Sequence, residues 1–257
     1  METEALLNFS CEMGRQLLQN GAEIYRVEES IRRLLAAYGC TETEVFAIPS
    51  CIILNIQEGE RNYTKSIRVK TVSNNLRRLS NLNALCRDIC REPPPVEESR
   101  RRMQDIVSDP VYPALTGFVA HGLVAFFFTL FWGGDLMDAA AAFPCGLVVR
   151  AVLVSMRRLH ANEFFTYLAA AMLSALEPLV LFWTGVSVST DKIIIGTIML
   201  LVPGIAITNV MRDVLAGDFL TALTRLAEVL IVGMAITVGV AMAIAIALTR
   251  FVMGGAL

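Results

Sequence analysis

Two ionisable residues interrupt otherwise apolar stretches and are the first candidates for chemistry in this sequence. Arg150 and Glu177 each lie in a run long and apolar enough to cross a bilayer. Charged side chains at such depth are rare and tend to mark substrate or proton paths. Arg150 could bind an anionic substrate and Glu177 could carry a coupling proton. A structural salt bridge between them is the alternative, although their expected depths differ by roughly 10 Å at about 1.5 Å of rise per residue.

A helix-breaking pair precedes a second set of polar groups. Pro203 lacks a backbone N–H and Gly204 loosens the same turn of an apolar helix. The freed carbonyl is costly in hydrocarbon, so such a break persists only against protein or a water-lined cavity. Asn209 and Asp213 follow one turn apart on one face, and with Thr208 they offer hydrogen bonds or a gating charge. We therefore expect a substrate path here, with a plain proline kink as the alternative.

Other kinds of chemistry find little support. The two histidines, His121 and His160, have no evident serine or cysteine partner, and we expect His121 to be a packed residue rather than a proton relay. The six cysteines fit no zinc spacing and are interpreted as small, half-buried thiols of a reducing compartment, including Cys86 and Cys90, whose roles the sequence does not define. The sequence thus predicts no enzyme, metal site or cofactor.

Composition places these residues in a membrane protein. Of 257 residues, 55% are hydrophobic and 18% charged, and most charges lie in the first 112. We predict a cytoplasmic α+β domain at residues 1–112 and a bundle of five transmembrane helices at 113–257. The spans are expected at about 114–132, 139–156, 164–185, 193–211 and 226–249.

Arginines in the short loops predict the orientation. The loop with Arg157 and Arg158, and the one between Arg212 and Arg225, alternate with loops that lack arginine. The positive-inside rule then places these arginine loops and the N-terminal domain in the cytoplasm.

The N-terminal domain has the patterns of helices packed on one face of a small sheet. Apolar residues recur at helical spacing over 4–19, 22–38 and 75–91, and a short amphipathic helix is expected at 97–107. Two short segments at 44–48 and 51–56, separated by Pro49-Ser50, and an alternating pattern at 64–72 predict three strands.

The last span carries small residues every fourth position, which lets another helix approach closely. These are Ala235, Gly239, Ala243 and Ala247. We expect this ridge to pack against a neighbouring helix.

Two distant groups of residues carry a family resemblance. Leu201-Val-Pro-Gly204, followed by Asn209, Asp213 and Gly217-Asp218, resembles the threonine/serine exporter family. The N-terminal part is similar to the opening of that family, in Gly14-Arg-Gln-Leu-Leu18, Asn20-Gly-Ala-Glu23, Tyr25-Arg-Val-Glu-Glu29 and Val45-Phe-Ala-Ile-Pro49.

The resemblance implies a function and partners. The five-span length resembles the YjjP-like half of a two-component succinate exporter, whose other half is a small YjjB-like membrane subunit, whereas longer fused members export threonine and serine. It implies a cytoplasmic N-terminal domain, that partner or self-association, and ion-gradient-driven export across the cell inner (plasma) membrane. Our leading hypothesis is a subunit of a secondary-active exporter for small carboxylate-bearing metabolites, either a succinate-like dicarboxylate or threonine/serine. The alternative is a membrane receptor with a metabolite-sensing cytoplasmic domain.

Overall fold

The computed structural model of the protein describes residues 2–70, 74–109, 112–184 and 189–254. Contacts divide the chain into two compact units. Met1–Pro110 and Asn209–Thr224 form the first unit, and Val111–Thr208 and Arg225–Leu257 form the second. The predicted boundary after residue 112 assigned residues 209–224 to the membrane domain, whereas their contacts group them with the N-terminal residues.

The N-terminal part of the first unit contains four helices and a three-stranded sheet. The antiparallel strands lie in the order β1-β2-β3, so each strand pairs with its neighbour in sequence. In chain order the elements are α1 (Glu2–Gln19), α2 (Ile24–Ala37), β1 (Glu42–Ile48), β2 (Cys51–Glu58), β3 (Arg61–Arg68), α3 (Leu76–Arg91) and α4 (Val96–Ser108). The third strand was expected at 64–72; residues 71 and 72 lie outside the described residues.

The alternation of β2 explains how this unit forms a core. Ile52, Leu54 and Ile56 are at most 1% exposed, whereas Ile53 between them is 40% exposed. One face of the sheet therefore packs against the apolar sides of the helices, and the other remains accessible. Gly14 of α1 allows a close approach, because a Cβ atom there would lie 2.5 Å from the Ile31 Cδ1 atom of α2.

The remaining helices are mostly apolar. They are α5 (Ala114–Phe131), α6 (Leu136–Arg158), α7 (Glu163–Trp183), α8 (Thr190–Ile198), α9 (Gly204–Leu215) and α10 (Phe219–Gly254). Four of them are long and apolar enough to cross a membrane: α5, α6, α7 and the Phe219–Thr249 part of α10. They correspond to four predicted spans; residue 185, the expected end of one span, lies outside the described residues.

The remaining predicted span, at 193–211, is the fourth in chain order and is not one continuous helix. The segment consists of α8 with 9 residues and α9 with 12, separated by residues 199–203. At about 1.5 Å per residue these helices are roughly 14 and 18 Å long, and each is shorter than the roughly 30 Å hydrocarbon layer. Within the described residues the structure therefore shows four candidate spanning helices and one broken segment. The break expected at Pro203 and Gly204 is confirmed, whereas the fifth membrane crossing stays a prediction.

Small residues allow close backbone contacts between helices of the second unit. A Cβ atom on Gly146 of α6 would lie 2.5 Å from the His121 carbonyl oxygen of α5, and one on Gly239 of α10 would lie 2.5 Å from the Leu168 carbonyl oxygen of α7. The predicted ridge on α10 is buried, and at Gly239 its neighbour is α7 of the same chain. The ridge is consequently no argument for a separate subunit.

Candidate substrate path

The α8–α9 break is more than a proline kink. Helix α8 ends at Ile198, and the next residues form a turn in which the Leu201 N–H donates to the Ile198 carbonyl at 2.8 Å. The Gly204 N–H then donates to the Val202 carbonyl at 2.9 Å, and α9 begins at Gly204. Pro203 ends the turn because it has no N–H with which to continue α8. Its own carbonyl accepts from the Ile207 N–H at 3.0 Å, as part of the first turn of α9.

The break lies against protein inside the second unit. Leu201 is 2% exposed. It belongs to one apolar cluster with residues from the interior of three long helices, namely Val149 of α6, Ala170 and Ala171 of α7, and Val232 and Ile236 of α10. Protein therefore covers this side of the interruption, which is the condition under which irregular backbone is tolerated at membrane depth.

Arg150 follows directly after Val149 of that cluster. Its guanidinium lies over Gly117 of α5, where a Cβ atom would be 3.1 Å from Nη2, 3.3 Å from Nε and 3.4 Å from Cζ. The Nε atom is buried and has no hydrogen-bond partner. Among the described residues no carboxylate forms an ion pair with Arg150. The half-buried Arg150 thus places a positive charge between α5 and α6 without an ion-pair partner among the described residues.

His121 lies one helical turn after Gly117 on α5. Its Nδ1 atom is 2.8 Å from the Gly117 carbonyl oxygen, and the ring is close enough to Arg150 and Arg157 to interact with their charges. The residue is half-buried, as expected for a packed histidine. Its position beside Arg150 depends on how α5 and α6 pair, which the sequence does not show.

Glu177 of α7 has a partner that sequence reasoning missed. Its carboxyl group lies beside the thiol of Cys145 on α6, and that thiol donates to the Ala141 carbonyl oxygen at 3.3 Å. Cys145 is buried in a second cluster, against which Leu200 of the break is packed. Cys145 and Arg150 are five residues apart, or about 7.5 Å along α6. Arg150 and Glu177 do not form the alternative salt bridge in the part of the chain that the structure describes.

The polar residues after the break have different environments. Thr208 is exposed and its hydroxyl donates to the Gly204 carbonyl at 3.0 Å. Asn209 is half-buried and Asp213 is 1% exposed. Both belong to the first unit, whereas Thr208 belongs to the second. The structure therefore does not bring all the predicted site residues into one cluster.

An ion pair in the first unit joins two of the segments that carry the family resemblance. Arg212 of α9 pairs with Glu23, which directly precedes α2. Arg26 approaches the same carboxylate at 3.0 Å. The ion pair between Arg212 and Glu23 therefore links α9 to the start of α2 within the first unit.

The cysteines of the first unit have the environments of buried or half-buried thiols. Burial, the largest influence, raises the pKa of Cys86 to about 12 and that of Cys11 to about 11. Cys90 is half-buried, and burial raises its pKa too. These groups are therefore protonated at neutral pH and are poor nucleophiles and metal ligands.

The comparison with known families identifies the chain. The model of the ThrE family, described as a threonine/serine exporter, matches residues 8–247. No curated protein and no solved structure gives a match. The family match points to a membrane transporter rather than an enzyme and gives the receptor alternative no support. Because the match covers most of the sequence, including both the N-terminal unit and the helical unit, the chain belongs to the threonine/serine exporter family.

Proposed function

We propose that this chain is a subunit of a secondary-active exporter that moves small carboxylate-bearing metabolites out of the cytoplasm. The observation that carries the proposal is the break at residues 199–203, whose Leu201 packs in one cluster with Val149, the residue before Arg150. Interrupted helices near the middle of a membrane bundle are the usual sites of substrate and ion binding in secondary transporters. The family match supports threonine and serine as substrates.

Each residue of the path receives a role under this proposal. Arg150 binds the carboxylate of the substrate, because a half-buried arginine that forms no ion pair with any described residue suits an anionic ligand. Glu177 carries the coupling proton; it lies beside the Cys145 thiol and forms no ion pair within the described residues. Pro203 and Gly204 shape the path by interrupting the helix.

The remaining path residues lie on α9. Thr208 and Asn209 offer hydrogen bonds to the substrate, and Asp213 acts as a gating or proton-carrying group. These roles follow from the position of the three residues directly after the break in the sequence.

We propose that the α8–α9 segment forms a fifth crossing. From Thr190 to Leu215 it has enough residues to span the hydrocarbon layer even though neither helix does so alone. The arginine-bearing loops then lie in the cytoplasm together with the N-terminal unit, and the protein is a multi-pass component of the inner (plasma) membrane.

A partner or a second copy completes the transporter under this proposal. Five crossings are few for an alternating-access machine built from two repeats. A small YjjB-like membrane subunit, self-association, or both would supply the rest. The α5 helix offers a suitable face, since Leu115, Leu123, Phe127 and Phe131 are all at least 44% exposed.

Substrate class and partner are tested together by efflux from loaded cells. Cells that express the chain alone, or together with a small YjjB-like membrane subunit, are loaded with labelled threonine, serine or succinate. We expect cells that express the protein to release at least one of these compounds faster than cells without it. This release should depend on an ion gradient and should be lost in the Arg150→Gln variant. Arg158→Gln, at the exposed end of α6, is the matched control. The proposal fails if expression accelerates the release of none of the three with either arrangement.

A further inference from the structure

We propose that Glu23 and Arg212 are positioning residues for transport: their ion pair holds the end of α9 on the N-terminal unit and thereby sets where the path residues after the break lie. The inference goes beyond the proposed function and rests on it. Neither residue belongs to the path itself, so both act through Asn209 and Asp213.

The end of α9, the turn after it and the start of α10 form one segment, the tip, at residues 209–224. The tip groups by contacts with residues 1–110, whereas the earlier part of α9 and the later part of α10 group with the second unit. Asp213, Thr221 and Ala222 of the tip are at most 3% exposed. Both helices are continuous where this grouping changes. A displacement of the tip is therefore carried along α9 toward the break.

Arg212 lies between the two path residues of the tip. It follows Asn209 by three residues, or about 4.5 Å along α9, and directly precedes Asp213. The turn behind it is closed, because the Asp218 N–H donates to the Asp213 carbonyl at 2.9 Å and Gly217 adopts a φ of +86°. A contact that holds Arg212 therefore holds Asn209 and Asp213 as well.

Glu23 is presented to α9 by a closed turn of the N-terminal unit. In this turn the Asn20 side-chain amide donates to the Gln16 carbonyl at 2.7 Å, and Gly21 has a φ of +96°. Glu23 occupies the N-cap position of α2, but its side chain makes no capping hydrogen bond to the described residues of that helix. Its carboxylate, only 12% exposed, pairs with Arg212 instead. A carboxylate that could cap its own helix thus serves a contact between distant segments.

Export from cells tests the role in transport. Cells that express the chain together with a small YjjB-like membrane subunit are loaded with labelled threonine, serine or succinate, and release is measured over a range of internal concentrations. Glu23→Gln and Arg212→Gln should each lower the maximum rate by up to about fivefold, the factor that corresponds to a partly exposed ion pair. The half-saturating concentration should change less, because neither residue contacts the substrate.

Glu29→Gln is the matched control, and the amount of protein in the membrane is measured for every variant. It removes the same charge from the same helix, but the pair that it breaks, with Arg33, lies entirely within α2. It should export at the wild-type rate. In Arg212→Gln, Arg26 remains 3.0 Å from the Glu23 carboxylate, so that variant is not left with an unpaired buried charge.

Combined variants separate a shared interaction from two independent defects. Glu23→Gln with Arg212→Gln should lose no more than either single variant, because each change removes the same interaction. Glu23→Arg with Arg212→Glu restores the pair in the opposite sense and should recover most of the rate.

Crosslinking tests the contact without reference to transport. Cysteines are introduced at Glu23 and Arg212 after Cys40, Cys51 and Cys90 are replaced by serine, and they are treated with a flexible bismaleimide. Linked peptides are detected by mass spectrometry. The 23–212 pair should link faster than a control pair at 29 and 212, because residue 29 lies about 9 Å further along α2.

The outcomes separate the positioning role from the proposed function. Export at the wild-type rate in both single variants overturns the positioning role and leaves the exporter assignment intact. So do additive losses that the charge exchange does not recover. Equal crosslinking of the 23–212 and 29–212 pairs overturns the contact itself. Wild-type protein that releases none of the three compounds contradicts the proposed function, and with it the role of this pair in transport, whatever the crosslinking shows.

Discussion

Replacing Gly239 by alanine should loosen the contact between α10 and α7. The added Cβ atom would lie 2.5 Å from the Leu168 carbonyl oxygen and 3.0 Å from the Ala171 Cβ atom. An ordinary contact of this kind begins near 3.4 Å. The helices must therefore separate locally by about 0.9 Å. Moving two packed backbones apart costs more free energy than rotating one side chain.

Gly233 provides a matched control on the same helix. A Cβ atom there would have no neighbour within 4 Å. Both substitutions gain the same helix propensity, up to about 1 kcal/mol per glycine replaced by alanine, and this gain cancels when the variants are compared. What remains is the overpacking cost at Gly239, typically about 1–3 kcal/mol.

Thermal unfolding in detergent, followed by tryptophan fluorescence, measures the difference. Both tryptophans of the chain, Trp132 and Trp183, lie in the second unit and report on its packing. We expect Gly233→Ala to unfold at or above the wild-type temperature. Gly239→Ala should unfold lower, by about 2–4 °C for each kcal/mol lost in a chain of this size. If the two variants unfold at the same temperature, the close approach of α10 to α7 is refuted.

Three further predictions concern other parts of the chain. Burial alone would raise the pKa of Glu12, but a hydrogen bond from Arg15 helps to bring it below its ordinary value of 4.5. The ionised carboxylate therefore stabilises the fold above that pH, and this stabilisation is lost as the pH falls. Glu12→Gln should remove up to about 1 kcal/mol of stability at pH 7 and make acid unfolding less steep. Asp138 belongs to the capping box of α6 and accepts a hydrogen bond from the Ser189 N–H at 2.7 Å. Asp138→Ala should therefore lower the free energy of unfolding by about 1–2 kcal/mol. Asp138→Asn keeps a hydrogen-bond acceptor and should lower it by less. Glu177→Gln should abolish or uncouple export while the protein remains in the membrane, and normal gradient-driven export by that variant would remove Glu177 from the mechanism.

Local signals were sufficient to predict where regular structure stops. Pro203 has no N–H and Gly204 is permissive, and the helix is broken immediately before them. The apolar run at 51–56, bounded by Pro49-Ser50 and a turn, likewise predicted a strand. In both cases the cause lies within a few residues of its effect, so a single sequence carries the information.

Contacts between distant elements could not be predicted in this way. The position of Arg150 over Gly117 depends on the rotation and register of α5 against α6, and the pair of Glu23 with Arg212 joins residues far apart in sequence. The α10 ridge showed that a neighbour was needed, but not that α7 would be that neighbour. The apolar runs in the sequence also did not predict the lengths of α8 and α9, the two helices on either side of the break.

The most direct test of the account asks whether water and substrate reach the α8–α9 segment. The half-buried cysteines Cys40, Cys51 and Cys90 are first replaced by serine. One cysteine is then introduced at a time, at Thr208, at Asn209 or at the control position Phe127, an exposed apolar residue of α5. Labelling uses a charged thiol reagent on inverted membrane vesicles, with and without threonine or succinate. We predict rapid labelling at Thr208 and Asn209 that substrate slows, and little labelling at Phe127. Equal, slow labelling at all three positions, unchanged by either substrate, would contradict a substrate path along this broken helix.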